Sequence, residues 1–384
     1  MRLSIVTDTY PPDVNGVANT LHRLQAKLRR RGHEVETIVP GDLLAAALGH
    51  GSIARDAASA SLRLAALPLP GYKGLRFGLP SRGALVKHWR KHRPDIIYVA
   101  TESLLGLSAV GAAAAVGACV VSGYHTNFDH YMRDYQFAML EEFACLYLRT
   151  LHNRTLATFA PSPDAIARLR TMGFNNLRLL GRGVDAVLFN PAKRSAQLRA
   201  TWGAGERDTV ALYVGRLAPE KNLPLAMSAF DAMARHENDH GRNFHAVLVG
   251  DGPKRAELEA SACRCHFAGA RTGEDLASHF ASADIFIFPS TSETFGNVVI
   301  EAMASGLVTV AYDYAAARLH LRHQVNGLTA RVDDEPAYLA ACIHALDQTR
   351  WREWRDEARH TASGLTWSSV VTRFENDLLE ILGR

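Results

Sequence analysis

Short apolar runs recur along this chain, and each is followed by a stretch with helical spacing. Leu3 to Thr7 reads as a buried strand, Asp8 to Asn15 as a loop carrying Pro11-Pro12, and Gly16 to Arg31 as a helix through Val17, Leu21, Leu24 and Leu28. Gly32 ends that helix and Val35 to Val39 opens the next strand, which makes the start a βαβ unit. Ile96 to Val99 and Cys119 to Val121 continue the alternation. The pattern restarts at Thr209 to Val214, with strands at Ala246 to Val249, Ile285 to Phe288 and Val308 to Ala311. Strand and helix in alternation predict an α/β protein with two doubly wound, parallel, Rossmann-like sheets. The proline-marked stretch Phe189-Asn190-Pro191-Ala192-Lys193 places the join near residue 190, giving domains over 1–190 and 191–365 and a terminal helix over 366–384. Ligands of such sheets bind at the carboxyl ends of the strands, so a cleft between the two halves is the expected site.

One stretch, Ser103 to Tyr124, carries no charge and is long enough to flag a membrane span. It is rich in Ala and Gly rather than Leu or Phe and splits into a small-residue helix, Leu104 to Val116, and a β-branched run at Val120-Val121, so it reads as part of the fold. At 384 residues the chain exceeds one small module, and 47% hydrophobic with 21% charged residues excludes a disordered or fibrous protein. The five scattered cysteines do not form a disulfide scaffold, and the first residues lack the three regions of a secretion signal; a cytoplasmic protein is the expectation. Cys263, Cys265 and His266 lack a fourth partner at zinc spacing, so no metal site is expected and all three should lie along a strand.

Charge is uneven. Residues 1–190 hold 22 Lys/Arg against 14 Asp/Glu and residues 191–384 hold 21 against 25, making the first half +8 and the second −4. The basic half suits an anionic partner such as a phospholipid surface or a phosphorylated acceptor. Nucleic acid is disfavoured, because the cations on Arg29-Arg30-Arg31 and Lys87 to Arg93 lack interleaved aromatics. Leu62-Arg63-Leu64 and Leu75-Arg76-Phe77, with Trp89, suggest a peripheral membrane contact, and a packed core is the competing reading.

The densest chemistry lies in Ser290 to Gly306. A helix is expected to begin near Phe295 or Gly296, and its first amides suit a phosphate. Glu293 precedes that helix and Glu301 lies well along it, so the two carboxylates meet different parts of one ligand. Arg216 and Lys221, in the loop after Val214, put two cations on the same edge, where they could stabilise a leaving diphosphate without a metal. Gly250-Asp251-Gly252-Pro253 reads as a structural turn. In the first half, Gly16 opens a helix after Asn15, and His125 stands at the end of a strand in Gly123-Tyr124-His125-Thr126-Asn127-Phe128.

Taken together these residues resemble the retaining nucleotide-sugar glycosyltransferases of the GT-B fold, glycosyltransferase family four. The E-x7-E signature falls on Glu293 and Glu301, and Glu301-Ala302-Met303-Ala304-Ser305-Gly306 matches its surroundings. The resemblance implies that Arg216 and Lys221 bind the donor diphosphate, helped by the amides of Gly296, Asn297 and Val298, within a donor loop that includes Thr294 and Phe295. It implies that Glu293 contacts the transferred sugar, Glu301 the ribose and Gly16 the donor phosphates, and that His125 approaches the sugar. Tyr124 to Phe128 and Leu151 to Thr155 look most like bacterial enzymes that glycosylate lipids, including GDP-mannose-dependent mannosyltransferases and diacylglycerol glycosyltransferases. Two departures stand out: Asn15-Gly16 where many relatives have Gly-Gly, and Asn127 where some have Asp.

The expected reaction moves a hexose from GDP-mannose or a UDP-hexose to a hydroxyl acceptor such as a membrane lipid or lipid-linked glycan, with no cofactor and no metal. Retention follows from the resemblance, and a front-face substitution accounts for it. Competing readings are a sugar-nucleotide epimerase or phosphorylase on the same plan and a non-catalytic nucleotide-binding protein. The donor base, the acceptor and the oligomeric state stay open at this level.

Overall fold

The computed structural model describes residues 1–13, 15–41, 62–68, 76–125, 138–261 and 264–383. The chain forms two compact units, Met1–Arg182 with Ser368–Arg384, and Gly183–Trp367. Position 191, expected to open the second domain, lies inside the second unit on a short 3-10 turn, Pro191–Lys193, capped by the Asn190 side chain.

In the first unit the strands are β1 (Arg2–Val6), β2 (Glu34–Pro40), β3 (Leu62–Leu64), β4 (Ala66–Pro68), β5 (Arg76–Gly78), β6 (Ile96–Val99), β7 (Cys119–Gly123), β8 (Thr158–Ala160) and β9 (Leu177–Leu179). Seven of them pair in parallel in the order β3-β2-β1-β6-β7-β8-β9, and β4 and β5 form a separate antiparallel pair. Apolar residues such as Ile5, Ile96, Ile97 and Val121 are fully buried, as central strands covered on both faces require.

The small-residue stretch becomes the helix Leu104–Val116, started by the Ser103 side chain on the amide of Gly106 and ended by Gly117 in the left-handed region. A Cβ on Gly106 would stand 2.1 Å from the carbonyl oxygen of Thr101, so glycine is what lets this helix sit so close to the chain leaving β6. The helix has 13 residues, short of the roughly 20 needed to span a bilayer. Among the described residues no helix is long and apolar enough to cross a membrane.

The surface expected around Trp89 is not one: the indole is buried and donates to Ser4 Oγ at 3.0 Å, and Leu64 is buried beside it. Apolar contact with the sheet wins over exposure there. Leu75 lies outside the described residues.

The helix Trp367–Ile381 belongs to the first unit, where Val371, Phe374 and Leu378 are fully buried in its core. Glu375 accepts from Arg31 at 2.5 Å and meets His33 Nε2 at 2.5 Å, while Arg178 reaches Asp377 and Glu380 at 2.7 Å. Apolar knobs anchor this helix and a row of ion pairs fixes its register.

The second unit has β10 (Thr209–Val214), β11 (Phe244–Val249), β12 (Cys265–Gly269), β13 (Ile285–Phe288), β14 (Val308–Tyr312) and β15 (Leu328–Ala330), all parallel, in the order β12-β11-β10-β13-β14-β15. Cys265 and His266 lie on β12, and Cys263 falls outside the described residues. Every residue of β10 and β13 is buried.

At the amino end of β13, the buried Asp284 carboxylate gathers Arg199 at 2.9 Å, Arg194 at 3.0 Å and Arg355 at 3.4 Å and accepts from the amide of Val210 at 3.0 Å. Arg199 is itself buried, so this carboxylate is its counter-charge. Asp284→Asn is therefore expected to lower stability by about 3 kcal/mol, the cost of breaking a buried pair, read as a fall in the urea midpoint of the second unit; an unchanged midpoint contradicts the role.

Candidate functional site

In an open parallel sheet the crevice forms where the strand order reverses, because the connections on either side of that point leave in opposite directions. In the second unit this point lies between β10 and β13. The loop after β10 carries Gly215, Arg216 and Lys221, and the loop after β13 carries Ser290 to Gly296. The two segments flagged by sequence thus meet at the switch point of one sheet.

Their contacts are specific. The Lys221 ammonium donates to Glu293 Oε1, and that oxygen also accepts from Ser290 Oγ at 2.9 Å. Ser292 Oγ donates to the carbonyl of Glu220 at 2.8 Å, a second tie between the loops. The Arg216 guanidinium, 39% exposed, lies 3.9 Å from Glu220. Tyr213 reaches up from β10 to donate to the Arg216 carbonyl at 3.2 Å. Burial, with Glu293 and Glu220 nearby, pushes that phenol well above its ordinary range, so it stays a donor.

Gly250-Asp251-Gly252 supports this loop from behind. A Cβ on Gly250 would stand 1.9 Å from the Gly215 carbonyl oxygen, and one on Gly252 would stand 2.3 Å from that of Leu217. Leu217 and Asp251 also share a backbone hydrogen bond of 3.0 Å. The turn is structural, and it holds the backbone that carries Arg216.

The helix after Glu293 runs Asn297–Ala304 and begins one residue beyond Gly296, which has φ 87° and so takes the left-handed start that a side chain would strain. Among the described residues no side chain caps it, and its first amides face the switch point with the positive end of the dipole. Glu293 Cγ lies 3.5 Å from where a Gly296 Cβ would be, so ammonium, carboxylate and helix start are contiguous. Asn297 Oδ1 is buried and, among the described residues, has no hydrogen-bond donor. Thr294 and Val298 are half-buried, Phe295 is buried, and Glu301 lies four residues further along the helix, half-buried.

The first unit places Gly16 as the first residue of the helix Gly16–Arg30, exposed, after Asn15. The Asn15 side chain accepts from the amides of Val17 and Ala18 at 3.1 and 2.9 Å, so the departure from Gly-Gly supplies this helix with its own cap. The two helix starts differ: one is closed by its own side chain, the other is not.

His125 follows β7 and is buried, with Nε2 2.6 Å from the Tyr98 hydroxyl and Nδ1 2.9 Å from the Arg182 guanidinium. Burial, then the Arg182 charge and His152, holds it well below the ordinary histidine range, hence neutral. Thr126, Asn127 and Phe128 lie outside the described residues. Sequence reading missed Tyr98 and Arg182. The arginine had a signal, since it stands between two glycines in Gly181-Arg182-Gly183, whereas Tyr98 looked like one more strand residue.

Comparison with known proteins agrees with this geometry. Residues 14–188 match the family described as Glycosyltransferase Family 4, and residues 208–348 match the Glycosyl transferases group 1 family. A GDP-mannose-dependent alpha-mannosyltransferase of Mycolicibacterium smegmatis is 33% identical, covering 100% of this chain and 98% of its own. One of the same name from Corynebacterium glutamicum is 31% identical over 100% of this chain and 89% of its own. An alpha-monoglucosyldiacylglycerol synthase of Streptococcus pneumoniae is 25% identical over 81% and 71%. Among solved structures, sucrose-phosphate synthase from Thermosynechococcus elongatus superposes with a TM-score of 0.77 at 19% identity, covering 100% of this chain and 99% of its own. With switch-point chemistry, family models and full-length relatives in agreement, the chain belongs to glycosyltransferase family 4 and is a glycosyltransferase of the GT-B fold.

Proposed function

We propose that the chain is a retaining mannosyltransferase that moves mannose from GDP-mannose to a hydroxyl of a membrane lipid or lipid-linked glycan. The observation that carries the donor is the full-length likeness, at 31–33% identity, to proteins named for GDP-mannose. A UDP-hexose is the second reading, favoured by the likeness to the glucosyldiacylglycerol synthase, whose name also supports a lipid acceptor.

In the proposed reaction the diphosphate lies over the start of the helix Asn297–Ala304 and takes Lys221 and Arg216 as counter-charges. The Lys221 ammonium then exchanges a carboxylate for a phosphate, which frees Glu293 to accept from hydroxyls of the transferred sugar. Glu301 is assigned to the ribose, while Gly16 and His125 are assigned to the donor by the resemblance. As the bond to the sugar breaks, charge grows on the leaving phosphate, and fixed cations and amides meet it more strongly than in the ground state. The leaving phosphate accepts the acceptor's proton on the same face, which retains configuration. No step uses a metal, because the cations and the helix start supply the charge.

The acceptor side rests on surface chemistry. Phe143 and Leu146, three residues apart on the helix Ala138–His152, are 69% and 51% exposed on one face, with Arg149 in the last turn. Leu67 and Phe77 are exposed on the β4–β5 pair, beside Arg76. Apolar tips next to cations on the basic half suit an anionic bilayer surface, which a peripheral enzyme at the inner membrane face would use.

Three outcomes follow. Lys221→Ala and Arg216→Ala are each expected to lower kcat/KM for sugar transfer about 100-fold or more, with EDTA leaving wild-type turnover intact; retained activity in Lys221→Ala removes the diphosphate assignment. In thermal-shift assays GDP-mannose should raise the melting temperature by several degrees (about 2.7 kcal/mol at a hundredfold excess over Kd), and a larger shift with UDP-glucose would replace the donor. At low salt the wild type should co-sediment with phosphatidylglycerol vesicles and the double variant Phe143→Asp, Leu146→Asp several-fold less; no wild-type sedimentation ends the membrane proposal.

A further inference from the structure

Arg182 is 6% exposed, and among the described residues no carboxylate pairs with it. Its guanidinium donates to the carbonyls of Leu180 and Gly181 at 2.8 and 3.2 Å and, from its other terminal nitrogen, to His125 Nδ1 at 2.9 Å. A guanidinium has donors only, so Nδ1 must be the accepting nitrogen and the ring proton must sit on Nε2. That proton then goes to the Tyr98 oxygen at 2.6 Å. Tyr98 is fully buried, and Phe374 of the helix Trp367–Ile381 packs edge-on against its ring at 5.3 Å.

The space around the triad is closed. A Cβ on Gly123 would stand 2.2 Å from the Tyr98 hydroxyl and 2.6 Å from His125 Nε2. Among the described residues, the groups facing His125 are Tyr98 from β6, Arg182 from the segment after β9, and His152 from the helix Ala138–His152. His152 in turn lies 3.4 Å from Glu102 and binds Ser122 Oγ at 2.8 Å. A buried cation without a carboxylate is costly to fold around, and an apolar residue would fill the same space more cheaply. Its position accounts for it.

We propose that Arg182 is a positioning residue of the transfer reaction: by donating to Nδ1 it locks the His125 ring as the uncharged Nε2–H tautomer on Tyr98. The inference rests on the assignment of His125 to the donor site. Its consequence is that His125 neither gives nor takes a proton during transfer. The ring serves as a fixed wall.

The test is imidazole 15N NMR of the full-length protein with labelled histidine, the His125 signals being assigned by their loss in His125→Asn, combined with kinetics and GDP binding by calorimetry. In the wild type the Nε2–H pattern should persist from pH 8 down to about 5.5, below the ordinary histidine midpoint. Arg182→Met should mix the tautomers, raise the midpoint of His125, and lower kcat about 10- to 100-fold, with GDP affinity changed less than threefold. Arg182→Lys, which keeps a donor and a charge, should restore the tautomer and much of kcat. Tyr98→Phe removes the oxygen facing Nε2 but keeps Arg182, and should retain the Nε2–H form.

The proposal is overturned if Arg182→Met, or Arg182→Leu in its place should Met prevent folding, leaves tautomer, pH profile and kcat as in the wild type. It is equally overturned if Tyr98→Phe alone switches the tautomer. Failure of wild-type protein to turn over GDP-mannose would count against the donor assignment and leave the NMR comparison intact, so the two readings fail separately.

Discussion

The ion pair between Lys221 and Glu293 is the contact on which the second unit's site depends. Its partners come from loops separated by 72 residues, and they meet because β10 and β13 are neighbours in the sheet. A lysine after one strand and a glutamate after another would otherwise be two unrelated surface charges, worth little to stability. Placed at the switch point, with Ser290 steadying the carboxylate and Ser292 tying the loops, they hold one another near an uncapped helix start. In the proposed reaction the pair serves as an internal stand-in: an ammonium held by a carboxylate is already oriented for a phosphate, and a carboxylate so held is already oriented for hydroxyls. Preorganisation of this kind is what makes fixed charges effective when charge develops on a leaving group.

Much of this was legible in the chain. The strands at 96–99, 209–214 and 285–288 and the helix at 104–116 were readable because apolar runs and spacing are local signals. Glu293, Glu301, Arg216 and Lys221 could be placed at strand ends for the same reason. Strand order was not legible, since nothing in the periodicity of β10 says that β13 rather than β12 lies beside it, and the order is what brings Lys221 and Glu293 together. The Trp89 region failed for a related reason: a Leu-Arg-Leu triplet near a tryptophan looks amphipathic by composition, but an indole N–H that can reach Ser4 Oγ has every reason to go inside. The proline at 191 marked a local turn, while the break between units falls at Arg182 and Gly183, where only long-range packing distinguishes one side from the other.

The two arginines that matter most differ in their surroundings, and the difference shows what each can do. Arg216 is partly exposed and lies near Glu220, so an incoming anion can reach it. Arg182 is enclosed, bonded to two carbonyls of its own segment, and cannot turn at all. An accessible cation can bind; an enclosed one can only hold its neighbour or shape the field around it. In the role proposed for it, His125, held neutral by burial and by that fixed charge, takes no part in acid–base chemistry even though it is a histidine at a strand end, the place where a proton shuttle would be sought first. What remains for the proposed reaction is electrostatic: charge set in advance by Lys221, Arg216 and the amides at Asn297 and Val298, the groups assigned there to the leaving diphosphate. A transfer in which the departing phosphate takes the acceptor's proton asks of the protein that the segments carrying such charges stay in place, and in the second unit two serines, a tyrosine and a pair of glycines hold those loops.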